Sequence, residues 1–214
     1  MKLSEDDSKR LLSEFGFERP EHAVLRGGEL EKIDIRDKVE GLSYPLVAKV
    51  NAPEVGHKTD VKGIQLSINS YDELIATLEE FGSRFPGDDI LIEEHIPHEF
   101  EFILGSKVDE TFGQVIMFGG GGVLTEVYED VVFRKPPVDE REGKRMIEKT
   151  KIGEVLRDYR SIDLDPDTIL RSITALSDLV TEVKDVVELD VNPLVCVGNR
   201  PIALDAKIAL DGAG

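Results

Sequence analysis

The chain has 214 residues, 40% of them hydrophobic and 33% charged, with a formal net charge of −18 at pH 7 and a single cysteine. That length holds one domain or two small ones, and the acidity argues against non-specific binding to nucleic acid or to an anionic membrane surface. No apolar run reaches the ~18 residues of a transmembrane helix; the acidic start MKLSEDDSKRLL is no secretory signal, and Cys196 alone excludes an internal disulfide, so a cytoplasmic location is expected.

Ser4 reads as the N-cap of a helix over residues 5–15 that Gly16 closes, with Leu11, Leu12 and Phe15 on its apolar stripe. Residues 18–43 are short and irregular in pattern. YPLVAKVN (44–51) predicts a buried strand, followed by a loop from Ala52 to Lys62. GIQLSI (63–68) predicts a second strand whose Ile64, Leu66 and Ile68 alternate. Ser70 to Glu73 is a capping box opening a helix to about Phe81. Residues 90–105 read as strand, linker, strand, because Pro97 breaks any regular ladder. GQVIMF (113–118) predicts a strand running into Gly119–Gly122, and 123–135 is strand-like again. Residues 139–160 look helical, and Asp165-Pro166 caps a long helix to about residue 184. Hairpin-joined strands favour α+β layers over a doubly wound parallel sheet.

The last segment, VVELDVNPLVCVGNRPIALDAK (186–207), predicts a hairpin about the two-residue turn Gly198–Asn199. Cross-strand partners then sum to 397, so Asn192 faces Asp205 and Asp190 faces Lys207 on one side of the ribbon. Direct partners have Cβ atoms roughly 4.5–5.5 Å apart. An amide oxygen and a carboxylate that close suit a hard cation such as Mg²⁺, which keeps positions open for water and phosphate. A polar edge hairpin is the plain alternative.

Four other features carry chemistry on residue type. Lys49 interrupts an apolar strand, as a snorkelling edge residue or an anion ligand. The loop APEVGHKTDVKG (52–63) carries His57, either an exposed histidine or a phosphoryl-accepting nucleophile. Glu93 and Glu101 flank the bent linker, as surface carboxylates or as acceptors for a base or sugar. The four consecutive glycines permit close approach to a phosphate without matching Rossmann or P-loop spacing, and Arg134 on the following strand is a candidate phosphate clamp.

Taken in order, YPLVAKV, GHKTDVKGI, ILIEEHI with EFILG, FGQVIMFGGGGVLTEVYEDVVFR, and ELDVNPL with ALDAKI resemble the β subunit of ADP-forming acetyl-CoA (acyl-CoA) synthetases, relatives of succinyl-CoA synthetase β. The resemblance implies an ATP-grasp fold, two α+β subdomains with nucleotide held between them, as one domain over 1–214. A small nucleotide-closing subdomain would lie within about 20–105 and the metal hairpin within about 106–214. It implies Lys49 on nucleotide phosphates and Glu93 and Glu101 on adenine and ribose; the bent linker between them, at Ile96, offers free backbone groups to an adenine edge on residue type alone, as Arg134 offers a phosphate clamp. Asn192 and Asp205 would be the Mg²⁺ ligands, and His57 the histidine carrying phosphate between subunits. The family usually has Gly-Gly where this chain has Lys62-Gly63, and often Leu where it has Gly120. The implied reaction is acyl-CoA + ADP + phosphate ⇌ carboxylic acid + CoA + ATP. The expected partner is a CoA-binding α subunit, because the chain ends just after its hairpin. A stand-alone ATP-grasp ligase with another acceptor and a non-catalytic nucleotide-binding subunit are the rival readings.

Overall fold

The computed structural model describes residues 1–28, 34–52, 62–122, 130–158 and 164–212. It divides into two compact units, one formed by Met1–Arg19 with His98–Gly214 and one by Pro20–Pro97. The chain starts in the first with helix α1 (Glu5–Ser13), where Ser4 accepts from the Asp7 amide and Gly16 takes φ +87°.

The second unit is a four-stranded antiparallel sheet with one long helix. Its elements are β1 (His22–Leu25), α2 (Ile35–Lys38), β2 (Leu46–Val50), β3 (Ile64–Ile68), α3 (Tyr71–Arg84) and β4 (Ile90–Glu94), with strand order β1-β4-β2-β3. Helix α3 starts as its capping box predicts: Ser70 Oγ accepts from the Glu73 amide, while the Glu73 carboxylate reaches back to the Asn69 amide at 2.7 Å. Leu74, Leu78 and Phe81 line its buried stripe and share a cluster with Leu46, Ala48, Val50, Ile90 and Ile92 of the sheet. The opposite set of side chains on the two central strands, Val47, Lys49, Leu91 and Glu93, is also buried.

Two expectations fail here for identifiable reasons. Strand β1 falls in the stretch expected to be irregular, because four residues are too few to display a period; it is defined by pairing, Ala23 opposite Ile92 and Val24 opposite Leu91. In β3 the predicted alternation breaks at Leu66, which is 53% exposed, since Ser67 has φ +56° and the register shifts between Leu46 and Ala48. A non-glycine residue at positive φ turns the side-chain sequence out of step with the pleat. Just before this strand, Lys62 has φ +50°, a left-handed conformation at the position where the resemblance has glycine. Arg84 donates to its carbonyl at 3.2 Å.

The first unit continues with β5 (Phe102–Asp109), β6 (Gly113–Gly120), β7 (Val131–Arg134), α4 (Glu140–Glu148), α5 (Lys151–Asp158), α6 (Pro166–Glu182), β8 (Val186–Val197), β9 (Arg200–Ala203) and β10 (Ala206–Leu210). The sheet runs β10-β8-β5-β6-β7, antiparallel throughout, and β9 pairs with the outer end of β8. One face packs on the helices through Leu104, Ile116, Phe118, Leu189, Val191, Ile173 and Leu176. Glu188, Asp190 and Asn192, the alternate positions of β8, lie on the other face and are exposed or half-buried.

The single helix expected over 139–160 is two. Helix α4 ends at Glu148 with Lys149 as its C-cap, and the next helix is capped twice: Thr150 Oγ1 accepts from the Gly153 amide, and the buried Asp130 carboxylate accepts from the amides of Lys151 (2.7 Å) and Ile152 (2.9 Å). A carboxylate on the first amides of a helix satisfies orphan donors and favours the positive end of its dipole. Gly119 permits close contact of β6 with the same segment, since a Cβ there would sit 2.1 Å from the Asp130 carbonyl oxygen. The strand-like reading of 123–130 falls mostly on residues 123–129, outside the described residues.

Candidate functional site

The hairpin register is the one read from the turn. Leu194 pairs with Ala203, Val195 with Ile202 and Val197 with Arg200, and beyond the bend at Leu204–Asp205 the register resumes with Val191 on Ala206 and Asp190 on Lys207. The bend itself is held by the Leu204 amide donating to the Pro193 carbonyl (3.0 Å) and the Asn192 amide donating to the Asp205 carbonyl (3.2 Å). Asn192 and Asp205 are therefore direct neighbours, Asn192 exposed and Asp205 half-buried. Their amide and carboxylate oxygens are the hard donors that Mg²⁺ accepts.

Asp190, two residues along the same face, stands opposite Lys207 as the turn predicts. Burial pushes its carboxyl up to about 6; Lys207 opposite pulls it down, while Asp205 and Glu188 push it further up. The hairpin thus gathers negative charge around the two candidate ligands, a potential that favours a cation. Among the described residues no group of three or more His, Cys, Asp or Glu side chains is arranged to hold a metal. A cation here would take two side-chain ligands and complete its shell from solvent and phosphate, as Mg²⁺ commonly does.

In the smaller unit, Lys49 and Glu93 form an ion pair at 2.8 Å, with side-chain exposures of 7% and 3%. Lys49 lies opposite Leu91 and Val47 opposite Glu93, so the pair is diagonal across β2 and β4. The sequence assigned the two residues separate contacts. Reading them as a pair requires the β2–β4 register, which spans more than forty residues of chain. A buried charge is tolerated when paired, and removing one partner costs about 3–5 kcal/mol. Lys49→Met should accordingly lower the unfolding midpoint by about 10 °C and weaken adenine-nucleotide binding, both measurable on the purified chain.

The linker runs from β4 to β5 and contains Ile96, half-buried and outside any strand. Glu101 follows, with Oε1 3.2 Å from His98 Nε2 and its carbonyl accepting from the Gly121 amide at 2.7 Å. A Cβ on Gly121 would lie 2.8 Å from that of Glu101, and one on Gly122 2.9 Å from Glu101 Oε2. Gly121 therefore lets the backbone close over Glu101, while Gly122 takes φ +57°, a left-handed conformation that favours glycine. Arg134 sits on β7 with Nε 3.3 Å from Glu142 Oε2, and Nη1 donating to the Phe133 carbonyl. Arg145 and Arg134 hold the Glu142 carboxyl below its usual range. His22 Nδ1 lies 3.2 Å from the Pro20 carbonyl oxygen, His95 is exposed, and His57 lies outside the described residues.

The sequence profile of the ATP-grasp domain matches residues 1–210. The chain belongs to the ATP-grasp family. Within it, this ATP-grasp domain is 30% identical to the β subunit of acetate–CoA ligase [ADP-forming] II of Pyrococcus furiosus, over 98% of this chain and 92% of that one. It is 31% identical to acetate–CoA ligase [ADP-forming] II of Archaeoglobus fulgidus, over 98% of this chain and 30% of that protein. The domain spans about three tenths of the length of the first curated relatives it matches. Among solved structures, acetyl-coenzyme A synthetase 1 of Ca. Korarchaeum cryptofilum, in complex with coenzyme A and Ca-AMPCP, superposes with a TM-score of 0.84 at 27% identity, covering 98% of this domain and 93% of that chain. A second structure of that enzyme, with coenzyme A and Mg-AMPPCP and its phosphohistidine segment pointing towards the nucleotide-binding site, gives a TM-score of 0.80 at 28% identity, over 98% and 92% of the chains. The α+β ATP-grasp fold expected from the sequence is therefore the fold of the chain.

Proposed function

We propose that this ATP-grasp domain is the nucleotide-handling β subunit of an ADP-forming acyl-CoA synthetase, an acid–CoA ligase that works with a CoA-binding α subunit and is soluble in the cytoplasm. The observation that carries the proposal is the direct opposition of Asn192 and Asp205 across the hairpin. The near full-length match to a stand-alone β subunit supports the partner. No helix among the described residues is long and apolar enough to cross a membrane.

In this mechanism the partner converts acyl-CoA and phosphate to acyl phosphate and CoA, then takes the phosphoryl group onto a histidine and releases the carboxylic acid. His57 accepts the phosphoryl group on a ring nitrogen and passes it to the β-phosphate oxygen of ADP, leaving neutral imidazole. Mg²⁺, when bound by Asn192 and Asp205, supplies positive charge to the nucleotide phosphates. Lys49 offsets further phosphate charge, with Arg134 a second cation for that purpose, exchanging Glu142 for phosphate. Glu93, Glu101 and the Ile96 backbone orient the adenosine. The protein's work is positioning and charge neutralisation, which dominate phosphoryl transfer.

The test is reconstitution. The purified chain alone should bind ADP and ATP but form no ATP from acetyl-CoA, ADP and phosphate. Adding the CoA-binding chain that copurifies with it should bring ATP synthesis. ATP synthesis by the single chain, or copurification with no CoA-binding protein, would refute the two-subunit reading.

A further inference from the structure

The interior of the larger unit contains a charge that none of the proposed chemistry uses. Lys9 of α1 is 1% exposed, among the largest fully buried side chains in the chain. A buried lysine is rare and needs both a counter-charge and acceptors. Its Nζ lies 2.7 Å from Glu5 Oε1, one turn earlier on the helix, with side-chain exposures of 1% on both sides. Nζ also donates to the Leu204 carbonyl oxygen at 2.7 Å.

That last contact is the informative one. The Leu204 carbonyl belongs to the peptide group whose nitrogen is that of Asp205. Fixing the carbonyl fixes the peptide plane from which Asp205 departs. The neighbouring bonds, Leu204 amide to Pro193 carbonyl and Asn192 amide to Asp205 carbonyl, tie the same bend to β8. Leu204 and Asp205 themselves lie between β9 and β10, and beside those two bonds to β8 the Lys9 contact adds a hold on the bend from outside the sheet. The N-terminal residues bring α1 to this place: Leu3 donates to the Ile208 carbonyl at 2.9 Å, and Lys2 bridges Ala209.

We propose that Lys9, oriented by Glu5, is a positioning residue for the metal hairpin: it locks the Leu204–Asp205 peptide so that the Asp205 carboxylate stands beside Asn192. The proposal rests on the reading of Asn192 and Asp205 as Mg²⁺ ligands. Metal affinity depends steeply on groups that hold ligands in place, typically by 10–100-fold when one is lost.

Three variants of the purified chain test it: Lys9→Met, the double variant Glu5→Leu/Lys9→Met, and Asp205→Ala. Two quantities are measured on each. One is ADP affinity by calorimetry, at graded Mg²⁺ and in its absence. The other is amide hydrogen exchange at Asn192 and Leu204 in metal-free protein. Lys9→Met leaves the buried Glu5 short of its cation and can lower stability; the double variant replaces both charges with apolar groups and keeps the packing. The expected result is that both Lys9 variants need about 10–100-fold more Mg²⁺ for half-maximal ADP binding, with metal-free ADP affinity unchanged. The Asn192 and Leu204 amides should exchange faster, and Asp205→Ala should lose the Mg²⁺ dependence altogether. If the double variant is folded and keeps the wild-type Mg²⁺ dependence while Asp205→Ala loses it, the metal site stands and Lys9 is only a stabilising residue. If Asp205→Ala keeps the wild-type Mg²⁺ dependence, the metal-site reading falls, and this proposal falls with it.

Discussion

Asp205→Ala should reduce nucleotide-dependent turnover of the reconstituted enzyme by more than about 100-fold while the chain remains folded. The substitution removes the only charged member of a two-residue ligand set, leaving the Asn192 amide to hold a divalent ion alone. Stability should change little, because the bend around residue 205 is held by backbone bonds, Asn192 amide to Asp205 carbonyl and Leu204 amide to Pro193 carbonyl, which alanine keeps. Circular dichroism and thermal melts would establish the fold. Turnover titrated with Mg²⁺ would then separate two cases. Turnover that stays low across the whole Mg²⁺ range is expected, because the site has lost its charged ligand. Turnover equal to wild type at ordinary Mg²⁺ would mean that the cation, if one is needed, binds elsewhere.

His57→Ala should block net ATP formation by the complex and spare both acyl-phosphate formation and phosphorylation of the partner's histidine. The chain has four histidines. The other three have places that leave little for a carrier: His22 against the Pro20 carbonyl, His98 against Glu101, and His95 exposed in the linker. His57 is the one that comes eight residues after Lys49 in the chain, beside Gly56. A neutral imidazole both accepts and releases a phosphoryl group near pH 7. Incubating the complex with labelled phosphate and acetyl-CoA, then mapping acid-labile label on each chain, checks this. Label should build up on the partner and be absent from this chain. Transfer to ADP at the wild-type rate would make His57 a bystander and would mean that phosphate reaches the nucleotide directly.

The C-terminal hairpin was legible because a two-residue turn fixes register. Once Gly198–Asn199 is the turn, the partners along β8, β9 and β10 follow by arithmetic as far as Ala209 opposite Glu188, the register shifting only at Leu210, and a slip of one residue would have put Asn192 on the apolar face. Helix starts were legible for a similar reason, since Ser4, Ser70 and Asp165 each cap amides two or three residues ahead. What sequence reasoning missed depends on partners far along the chain. The break between α4 and α5 is stabilised by Asp130, some twenty residues earlier. The Lys49–Glu93 pair requires a strand register that no turn sets, and the Lys9–Leu204 bond joins opposite ends of the sequence. Buried lysines and glutamates carry a usable signal all the same: Glu5 and Lys9 are four apart on a predicted helix, a spacing that pairs opposite charges. In β3, the positive φ of Ser67 has no counterpart in residue type, so the strand's alternation misleads.

Strand β8 runs for twelve residues and pairs with β5, β9 and β10. The candidate ligand Asn192 thus stands on the beam of the larger sheet, where a loop would ordinarily be expected to carry it. Evolution cannot discard such a site by deletion without losing the domain, but one or two substitutions silence it and leave the architecture untouched. A lineage that shed the chemistry and kept the scaffold would superpose on the active members as well as they do on each other. On the proposed metal site, the letters at positions 192 and 205 would be among those that sort working copies from inert ones, and the shape of the backbone gives no vote.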